Sequence, residues 1–390
     1  MKILHTVQFY YPSTGGMQEV VKQLSERLVK LGNEVTVTTS YDPHRSLNEK
    51  NRVKIVQFKV YGNYVYGIKG EVDKYQKFIL SSNFDIVTNF AAQQWASDSV
   101  FPILDQIKAK KVFVPTGFSG FYNPEYKVYF QKMSGWMKQY DMNIFLSNDY
   151  RDINFARKNG IKKTMIISNG ADENEFLRNK KIDIRKKIGI SKNDFIILHV
   201  GSHTGTKGHR EAFQIFSKAK LKNAVFLIVG NTFNKLCRWK CKLKQFSINL
   251  NPINIKDRKK VMVVELPRSE TVEAYKEANV FLFPSNIECS PIVLFEAAAS
   301  KTAYLTSDVG NSKEITQWLK GGLVMPTVRN DKGVSYVKIN ESVKLLEKLY
   351  RDKKLRDSLA ENGFREWKKN FTWKKISKEY NNMYKFLMKN

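Results

Sequence analysis

The fold of this chain is decided by residues 280–300, which read VFLFPSNIECSPIVLFEAAAS. The apolar run Val280–Phe283 suits one buried strand of a parallel sheet that is covered on both faces. Pro284 ends that strand, and Ser290 followed by Pro291 predicts a helix start, with the serine as the cap and the proline in the first position. The remaining residues are good helix formers. This order aims a helix N-terminus, with its free N–H groups and about half a positive charge, at a ligand such as a phosphate.

Two glutamates, Glu288 and Glu296, frame this predicted site. Glu288 lies in the loop and Glu296 lies within the helix. Because a helix rises roughly 1.5 Å per residue, Glu296 is expected on the order of 8 Å along the axis from the cap. This separation suits the span from the diphosphate of a nucleotide to its ribose. Acidic residues are also common near a helix start for electrostatic reasons alone, so the pair by itself leaves both interpretations open.

The segment ECSPIVLFE resembles the Glu-x7-Glu motif of the retaining glycosyltransferases of family 4, which have the GT-B fold. Residues 306–315 also resemble the strand and loop that follow the motif in these enzymes. The resemblance implies that Glu288 contacts the donor sugar and that Glu296 binds the ribose. It further implies that backbone amides at the start of the helix hold the sugar and phosphate, at Ser290, Pro291 and Ile292.

A glycine pair, Gly15-Gly16, lies where the first predicted strand meets its helix. Glycines there let the backbone approach a ligand closely at a helix N-terminus. The pair lacks the full Gly-x-Gly-x-x-Gly pattern, which argues against a nicotinamide enzyme. In the family that the chain resembles, this loop faces the donor diphosphate, so Gly15 and Gly16 are candidate donor-binding residues.

The loop after the predicted strand 194–201 resembles the Val-Gly-Arg…Lys-Gly loop of the family. Gly201 and Lys207 match this loop, whereas Ser202 stands at the arginine position. The resemblance implies that Lys207 stabilises the negative charge of the leaving diphosphate, so Lys207 joins Glu288 as a candidate catalytic residue. Gly201 and Ser202 are candidate donor-binding residues.

Loss of the arginine should weaken stabilisation of the diphosphate charge unless another cation takes its place, and the chain offers two candidates. One is Arg268, and the other is the pair His203 and His209. Leu266 follows the predicted strand 261–265, and the resemblance places it near the base of the donor.

Thr116, Gly117 and Phe118 lie in a loop that follows a predicted strand, and such strand ends bind ligands in open α/β sheets. This loop is therefore a candidate for the acceptor side. Many members of the family carry a histidine near this point, whereas this chain carries Thr116-Gly117 and has no histidine between His44 and His199. A catalytic base is therefore not identified.

The length of 390 residues suits two domains. We predict the α/β GT-B fold: two doubly wound Rossmann-like domains, an interdomain cleft, and a C-terminal helix that crosses back to the first domain. The predicted domains are an acceptor-binding domain at 1–175, a nucleotide-sugar-binding domain at 176–368 and the returning helix at 369–390. The segment Asn169-Gly170-Ala171-Asp172 resembles the Asn-Gly-Val-Asp turn at the domain crossing of these enzymes.

A formal net charge of +29 predicts an acidic partner, such as anionic lipid, a phosphorylated acceptor or nucleic acid. The densest basic segment is residues 235–260. Residues 52–80 mix aromatic and basic side chains, a composition that suits a membrane interface, stacking on single strands, or simple packing of a surface helix. A generally lysine-rich surface without a dedicated patch would give the same total charge.

Three cysteines cannot form a disulfide framework, and a reducing cytoplasm is the simplest location. Cys237 and Cys241 have a ligand-like spacing but no further ligands beside them, and His199 and His203, which share that spacing, straddle a predicted strand end. We therefore predict no metal site. The N-terminus lacks the apolar segment of a signal peptide, and the apolar runs are too short for a membrane span.

The predicted function is therefore that of a retaining, metal-independent glycosyltransferase without a cofactor. It would move a sugar from a nucleoside-diphosphate donor to a saccharide or lipid-linked acceptor in the synthesis of a cell-surface polysaccharide or glycolipid, at the inner face of the membrane. We expect no nucleic-acid partner. The alternatives are a catalytically inactive scaffold that binds nucleotide or sugar, and a basic nucleic-acid-binding protein.

Overall fold

The computed structural model describes residues 1–179 and 182–389 and forms two compact units. Unit 1 comprises Met1–Asn169 and Trp373–Asn390, and unit 2 comprises Gly170–Thr372. Each unit has its own largely parallel sheet, and each is described by itself.

Unit 1 begins as alternating strands and helices. Its strands are β1 (Lys2–Thr6), β2 (Glu34–Ser40), β3 (Glu49–Lys50), β4 (Val53–Phe58), β5 (Val60–Asn63), β6 (Gly67–Gly70), β7 (Ile86–Phe90), β8 (Lys110–Val114), β9 (Met142–Phe145) and β10 (Thr164–Ile166). Its first helices are α1 (Gly16–Lys30), α2 (Val72–Ser81), α3 (Trp95–Asp98), α4 (Lys127–Lys138) and α5 (Arg151–Lys158). Short 3₁₀ turns lie at Phe101–Ile103 and Pro124–Tyr126.

The main sheet of unit 1 has the order β10-β9-β8-β7-β1-β2-β4-β3. All neighbours are parallel except β3, which pairs antiparallel with β4. The strand order reverses between β1 and β7, so the loop after β1, which leads to Gly15-Gly16, lies at a topological switch point. A separate antiparallel hairpin joins β5 and β6.

Unit 2 repeats the alternating plan. Its strands are β11 (Phe195–Val200), β12 (Ala224–Val229), β13 (Lys259–Val264), β14 (Val280–Phe283), β15 (Ala303–Ser307), β16 (Gly322–Met325), β17 (Thr327–Arg329) and β18 (Ser335–Val337). Its helices are α6 (Glu173–Phe176), α7 (Ile184–Ile188), α8 (His209–Lys218), α9 (Lys235–Asn249), α10 (Pro252–Lys256), α11 (Arg268–Glu277), α12 (Ile292–Ala299), α13 (Ser312–Leu319), α14 (Ile339–Arg351) and α15 (Lys353–Asn370).

The sheet of unit 2 has the order β13-β12-β11-β14-β15-β16, and every neighbouring pair is parallel. Its central strands are buried on both faces, as the apolar run Val280–Phe283 predicts. The order reverses between β11 and β14, because the chain builds outward from β11 through β12 and β13 before it returns to β14. The site of unit 2 is built at this switch point.

The last helix, α16 (Trp373–Lys389), belongs to unit 1 and packs against α1, which confirms the predicted return of the C-terminal helix. The Tyr384 hydroxyl lies 2.7 Å from the Thr88 hydroxyl and 3.3 Å from His5 Nε2. Asn33 donates a hydrogen bond of 2.9 Å to Asn381. The helix is therefore tied to the centre of the first sheet by buried polar contacts.

Two local predictions were wrong. The helix of the opening stretch begins at Ile292, with Pro291 in the cap position, so the predicted roles of Ser290 as cap and Pro291 as first helical residue each lie one position too early. The suggestion of a surface helix in the aromatic segment holds only from Val72, because residues 53–70 form three strands. There, Phe58 and Tyr75 pack edge to face in the core at 5.1 Å.

Candidate functional site

The candidate site of unit 2 lies where β11 and β14 end side by side. These strands are parallel neighbours, so the loops that follow them emerge at the same edge of the sheet. The first loop, residues 201–208, carries Lys207, and the second, residues 284–291, carries Glu288. The fold therefore brings together two predicted site residues that are far apart in sequence.

Lys207 and Glu288 form an ion pair in which Lys207 Nζ lies 2.7 Å from Glu288 Oε1. The same carboxylate oxygen accepts a hydrogen bond of 2.8 Å from the Ser285 hydroxyl. The Glu288 side chain is only 12% exposed, so the pair is screened much less than a surface ion pair. This arrangement holds an ammonium and a carboxylate in fixed positions at the sheet edge, ready to contact a polar ligand.

The two loops are held by backbone contacts as well as by the ion pair. The amide of Asn286 donates to the carbonyl of Thr206 at 2.9 Å. Gly208 has a φ of +69°, and a Cβ there would lie 1.9 Å from the carbonyl oxygen of Pro284. A side chain at position 208 would therefore separate the loops, because a backbone oxygen occupies its place.

A third loop, which contains Gly310 and Asn311, packs against the backbone of Glu288 and Cys289. Asn311 donates its amide N–H to the carbonyl of Cys289 at 2.9 Å. Gly310 has a φ of +56°, and a Cβ there would lie 2.3 Å from the oxygen of Cys289 and 2.9 Å from that of Glu288. Close approach of this loop therefore requires glycine.

Glu296 lies within α12 and is 3% exposed. Arg268, the first residue of α11, places its guanidinium 2.6 Å from Glu296 Oε1 and 2.7 Å from Glu175 Oε2. Burial and the Glu296 charge raise the pKa of the neighbouring Tyr275 hydroxyl well above its ordinary value. Arg268 thus forms ion pairs with two carboxylates, and the buried Glu296 carboxylate has a positive charge beside it.

The start of α12 presents backbone amides beside this pair. Pro291 occupies the cap position and has no side-chain oxygen that could accept a hydrogen bond from the helix, which then runs from Ile292. Ser290 is buried just before it. Gly201 lies at the base of the Lys207 loop, where a Cβ would come within 3.2 Å of Lys207 Cβ; Ser202 and Leu266 are both half-buried at strand ends of the same sheet.

In unit 1, Gly15 and Gly16 form the exposed start of α1. Gly15 is the cap residue in an extended conformation, and a Cβ on Gly16 would meet no atom within 4 Å. The helix therefore begins with accessible backbone amides, as expected for an anion-binding N-terminus.

The loop of Thr116, Gly117 and Phe118 takes three successive positive φ angles, of +58°, +96° and +51°. The amide of Gly117 donates to Asp152 Oδ2 at 2.8 Å, and burial raises the pKa of this carboxyl group to about 6. Phe118 is buried and packs edge to face on Phe155. Of the three residues, Thr116 is partly exposed, whereas Gly117 and Phe118 are buried and Phe118 contributes to the core.

Four side chains in unit 2 converge in a way that the sequence pattern did not predict. His203, His209, Cys237 and Cys241 each offer a ligand atom, and these atoms all lie within 4.8 Å of one another. The pairs that the sequence suggested were Cys237 with Cys241 and His199 with His203. The informative signal was the His-x5-His spacing of His203 and His209, two residues that flank the Lys207 loop.

His203 and His209 do not replace the missing arginine charge. Burial lowers the pKa of His203, and burial together with the nearby histidines lowers the pKa of His209 to about 2. The His209 ring is therefore neutral at pH 7, and burial shifts His203 toward its neutral form. Of the two candidates for replacing the arginine, Arg268 is the one that carries a charge, and this charge is paired with Glu175 and Glu296.

Helix α9 presents an apolar stripe to solvent. Its large exposed side chains follow helical spacing, and Trp239 and Phe246 are 58% and 66% exposed. The stripe consists of Leu236, Trp239, Leu243 and Phe246 of α9 and its C-terminal cap Leu250, and five basic residues flank it at Lys235, Arg238, Lys240, Lys242 and Lys244. A groove of about 1400 Å³ runs between α8 and α9, and its lining includes Thr206 and Ile287, the chain neighbours of Lys207 and Glu288. Within the described ranges, every helix is either too short or too polar to cross a bilayer.

Comparison with known families covers most of the chain. The family model for glycosyl transferases group 1 matches residues 180–366, and the model for Glycosyltransferase Family 4 matches residues 14–175. Together the two matches span both compact units.

Curated relatives are distant but extend along the chain. An uncharacterised glycosyltransferase of Methanocaldococcus jannaschii is 24% identical, over 100% of this chain and 99% of the relative. N-acetyl-alpha-D-glucosaminyl L-malate synthase of Bacillus anthracis is 22% identical, over 96% and 94%.

Solved structures share the fold at full length. Sucrose-phosphate synthase of Thermosynechococcus elongatus superposes with a TM-score of 0.79 at 17% identity, covering 99% of this chain and 98% of that one. HepE of Anabaena, solved with UDP and glucose, has a TM-score of 0.74 at 14% identity, covering 98% and 99%. These likenesses confirm the predicted GT-B fold.

Proposed function

The chain belongs to the glycosyltransferases of group 1 and family 4, and from this premise we propose that it transfers a sugar from a nucleoside-diphosphate donor with retention of anomeric configuration. The observation that carries the proposal is the switch point of unit 2, where Lys207 is paired with Glu288 at 2.7 Å beside the start of α12. A fixed cation, a carboxylate and helix amides are the groups that a sugar diphosphate requires.

Each residue has a separate role in this proposal. Lys207 binds the diphosphate and stabilises the charge that develops when the sugar departs. Glu288 accepts hydrogen bonds from sugar hydroxyls, in a position that Ser285 and Lys207 maintain. The backbone N–H groups of Ser290 and Ile292 donate to the phosphate and sugar; Pro291, which has no N–H, fixes the turn between them.

The nucleoside end of the donor is assigned to Glu296. A buried carboxylate next to a fixed guanidinium stays ionised, so it can accept two hydrogen bonds from the ribose hydroxyls. Leu266 and the residues around Gly201 and Ser202 would line the base and phosphate. HepE was solved with UDP and with UDP-glucose, so a UDP-sugar is the first donor to test.

Donor binding is proposed to need no added metal ion, because protein groups offset the diphosphate charge. These groups are the Lys207 ammonium, the N-terminus of α12 and the amides at Gly15-Gly16, which begin the fifteen-residue helix α1. We propose residues 1–175 as the acceptor domain, with Thr116 and Gly117 on the acceptor side. Residues 176–368 are proposed as the donor domain, and residues 369–390 as the returning helix.

The acceptor is proposed to be a saccharide or lipid-linked saccharide at an anionic membrane surface, in polysaccharide or glycolipid synthesis. The support is α9, whose apolar stripe would enter the head-group region while its flanking lysines meet anionic lipid. The net charge of +29 favours the same partner.

Vesicle sedimentation tests the membrane contact. We expect the protein to bind vesicles that contain phosphatidylglycerol and to bind pure phosphatidylcholine vesicles weakly. Trp239→Glu with Phe246→Glu should reduce binding at least about tenfold, since two apolar anchors are replaced by charges that anionic lipid repels. Val128→Glu, at a position of similar exposure on α4, is the control. Equal loss in the control, or stronger binding to oligonucleotides than to vesicles, would reject the assignment.

Donor turnover tests the enzymatic proposal. We expect UDP release from a UDP-sugar in the presence of membrane lipid extract, and we expect Glu288→Gln to lower kcat at least about 100-fold with little change in UDP affinity. Glu270→Gln is the matched control. Glu270 is a mostly buried glutamate of α11 that forms an ion pair with Lys187. Donor binding without turnover across a broad panel of donors and acceptors would instead identify an inactive scaffold.

A further inference from the structure

We propose that His203, His209, Cys237 and Cys241 form a structural zinc site. Their four ligand atoms lie within 4.8 Å of one another, and Cys237 Sγ lies 3.8 Å from His203 Nδ1. In a tetrahedral zinc site, bond lengths of about 2.0–2.3 Å place the ligand atoms roughly 3.3–3.8 Å apart. The side chains therefore need only small rotations to close around an ion.

The backbone supports the four side chains independently of any ion. Cys237 and Cys241 are separated by one helical turn of α9, so both thiols point from the same face. Asn234 caps α9 by accepting from the amide of Cys237 at 3.0 Å, and its own amide donates to the carbonyl of His203 at 2.7 Å. His209 is the first residue of α8. The cluster thus joins two helices and the loop that follows β11.

The burial and poor hydrogen bonding of the His209 ring are a second observation that points to a ligand. The residue is 5% exposed, and neither ring nitrogen makes a hydrogen bond of ordinary geometry to any of the residues described in the structure. Its ring stacks on His203 with centroids 4.6 Å apart. The backbone of Gly201 interacts with this ring, but outside normal hydrogen-bond geometry, so the buried imidazole is poorly satisfied. A metal ion would accept the lone pair of one ring nitrogen and leave the other nitrogen as the N–H donor.

The donor set selects the ion. Two thiolates and two imidazoles favour zinc, whereas Mg²⁺, Ca²⁺ and Mn²⁺ prefer oxygen ligands. Because the chain supplies all four ligands, the coordination shell is closed, which is typical of a structural rather than a catalytic zinc. This site is therefore separate from the proposed chemistry at Glu288.

The consequence concerns the loop between the two histidines, which carries Lys207. An ion bound to His203 and His209 would anchor both ends of this loop to α9. The role of Lys207 in donor binding rests on the proposed function, but binding of the metal does not. The two ideas can therefore fail separately.

Metal analysis of the reduced full-length protein is the test. We expect about one zinc per chain after purification with zinc in the medium, and release of that zinc to a chromogenic chelator once the thiols are modified. Cobalt substituted for zinc should show the intense visible bands of a tetrahedral thiolate site. Cys241→Ser and His209→Asn should each weaken metal binding more than about tenfold. Cys289→Ser, which alters the remaining cysteine, should retain the metal and the spectrum.

Three results would overturn the proposal. The first is reduced wild-type protein that holds neither zinc nor tetrahedral cobalt. The second is a Cys237–Cys241 disulfide in freshly purified protein that cannot be loaded with metal after reduction. The third is loss of metal in Cys289→Ser equal to that in Cys241→Ser. Should the ligand variants fail to fold, the wild-type stoichiometry and cobalt spectrum decide the question alone, and none of these measurements uses a nucleotide sugar.

Discussion

At the scale of single residues, Arg268 pairs with two carboxylates of unit 2. It contacts Glu296 at 2.6 Å and Glu175 at 2.7 Å, and Glu296 is almost fully buried. Burying a carboxylate without a nearby cation is costly, so the charge of Arg268 stabilises the fold as well as the ionised state of Glu296.

Replacement of Arg268 should therefore destabilise the protein. We expect Arg268→Gln to lower the free energy of unfolding by about 2 kcal/mol, less than for a fully buried pair because part of the guanidinium reaches solvent. Urea denaturation measures this change. Arg268→Lys keeps the charge but cannot contact both carboxylates as a planar fork, so it should lose about half as much. A loss below about 0.5 kcal/mol in Arg268→Gln would show that the pair contributes little.

His5 predicts a pH dependence for unit 1. Burial lowers its pKa from 6.5 to about 3. Between these two pH values the unfolded chain binds a proton at His5 that the folded chain does not bind. The stabilisation is present in full above pH 6.5 and is lost as the pH falls toward 3. Between pH 7 and pH 5 the wild type should lose about 2 kcal/mol through His5.

The variant His5→Gln isolates this effect. The difference in melting temperature between wild type and His5→Gln should shrink as the pH is lowered from 7 to 5, because the variant lacks the titrating ring. Tyr384→Phe removes the hydroxyl next to His5 Nε2 but leaves the ring, so its difference from wild type should change much less with pH. A His5→Gln difference that stays constant from pH 7 to 5 would contradict the neutral buried histidine.

At the scale of elements, the site depends on three loops that approach through backbone contacts. We expect Gly310→Ala to destabilise the protein by about 3 kcal/mol and to reduce transfer, because the new Cβ would push residues 288 and 289 away. Calorimetry and donor turnover measure the two effects.

Gly32→Ala is the control for Gly310→Ala. Gly32 has a φ of +86° at the end of α1, but a Cβ there meets nothing within 4 Å. Its replacement should cost only about 1 kcal/mol for the left-handed conformation, with turnover unchanged. Equal effects of the two substitutions would mean that the contact with Cys289 and Glu288 is unimportant.

Predictability from sequence differs among these elements. The strand Val280–Phe283 was predictable because a short apolar run before a proline has few alternatives. The start of α12 was misplaced by one residue, since Ser-Pro fits a helix start in either register. The hairpin after Phe58 was missed because its aromatic and basic residues show no clear period of two.

Contacts between distant segments were beyond sequence reasoning. The Lys207–Glu288 ion pair exists because β11 and β14 are neighbours; the motif resemblance suggested that the two residues share a site, but not that they contact each other. The His203, His209, Cys237 and Cys241 cluster depends on how α8 and α9 pack beside the same strand end. The spacing of the two cysteines was visible, but the partners that complete the site lie 28 or more residues earlier in the chain.

At the scale of the whole molecule, the chain builds the same plan twice and then returns to the first unit through α16. Length and the Glu-x7-Glu stretch were sufficient to predict this GT-B architecture, because the motif implies a fold whose second half it occupies. Only one feature of the α9 surface was predicted. The sequence indicated its basic residues, but it did not indicate that Trp239 and Phe246 are exposed to solvent.

The central claim is that unit 2 binds a nucleoside diphosphate with Glu296 at the ribose. A thermal-shift titration of the full chain with UDP, GDP and ADP tests it most directly, with Glu296→Gln and the control Glu270→Gln alongside. A ligand at about 100 times its Kd stabilises the native state by about 2.7 kcal/mol, which is readily visible as a rise in melting temperature.

The account predicts that one nucleotide raises the melting temperature of the wild type and of Glu270→Gln, and that the rise is lost in Glu296→Gln. No rise with any of the three, or an equal rise in Glu296→Gln, would contradict it.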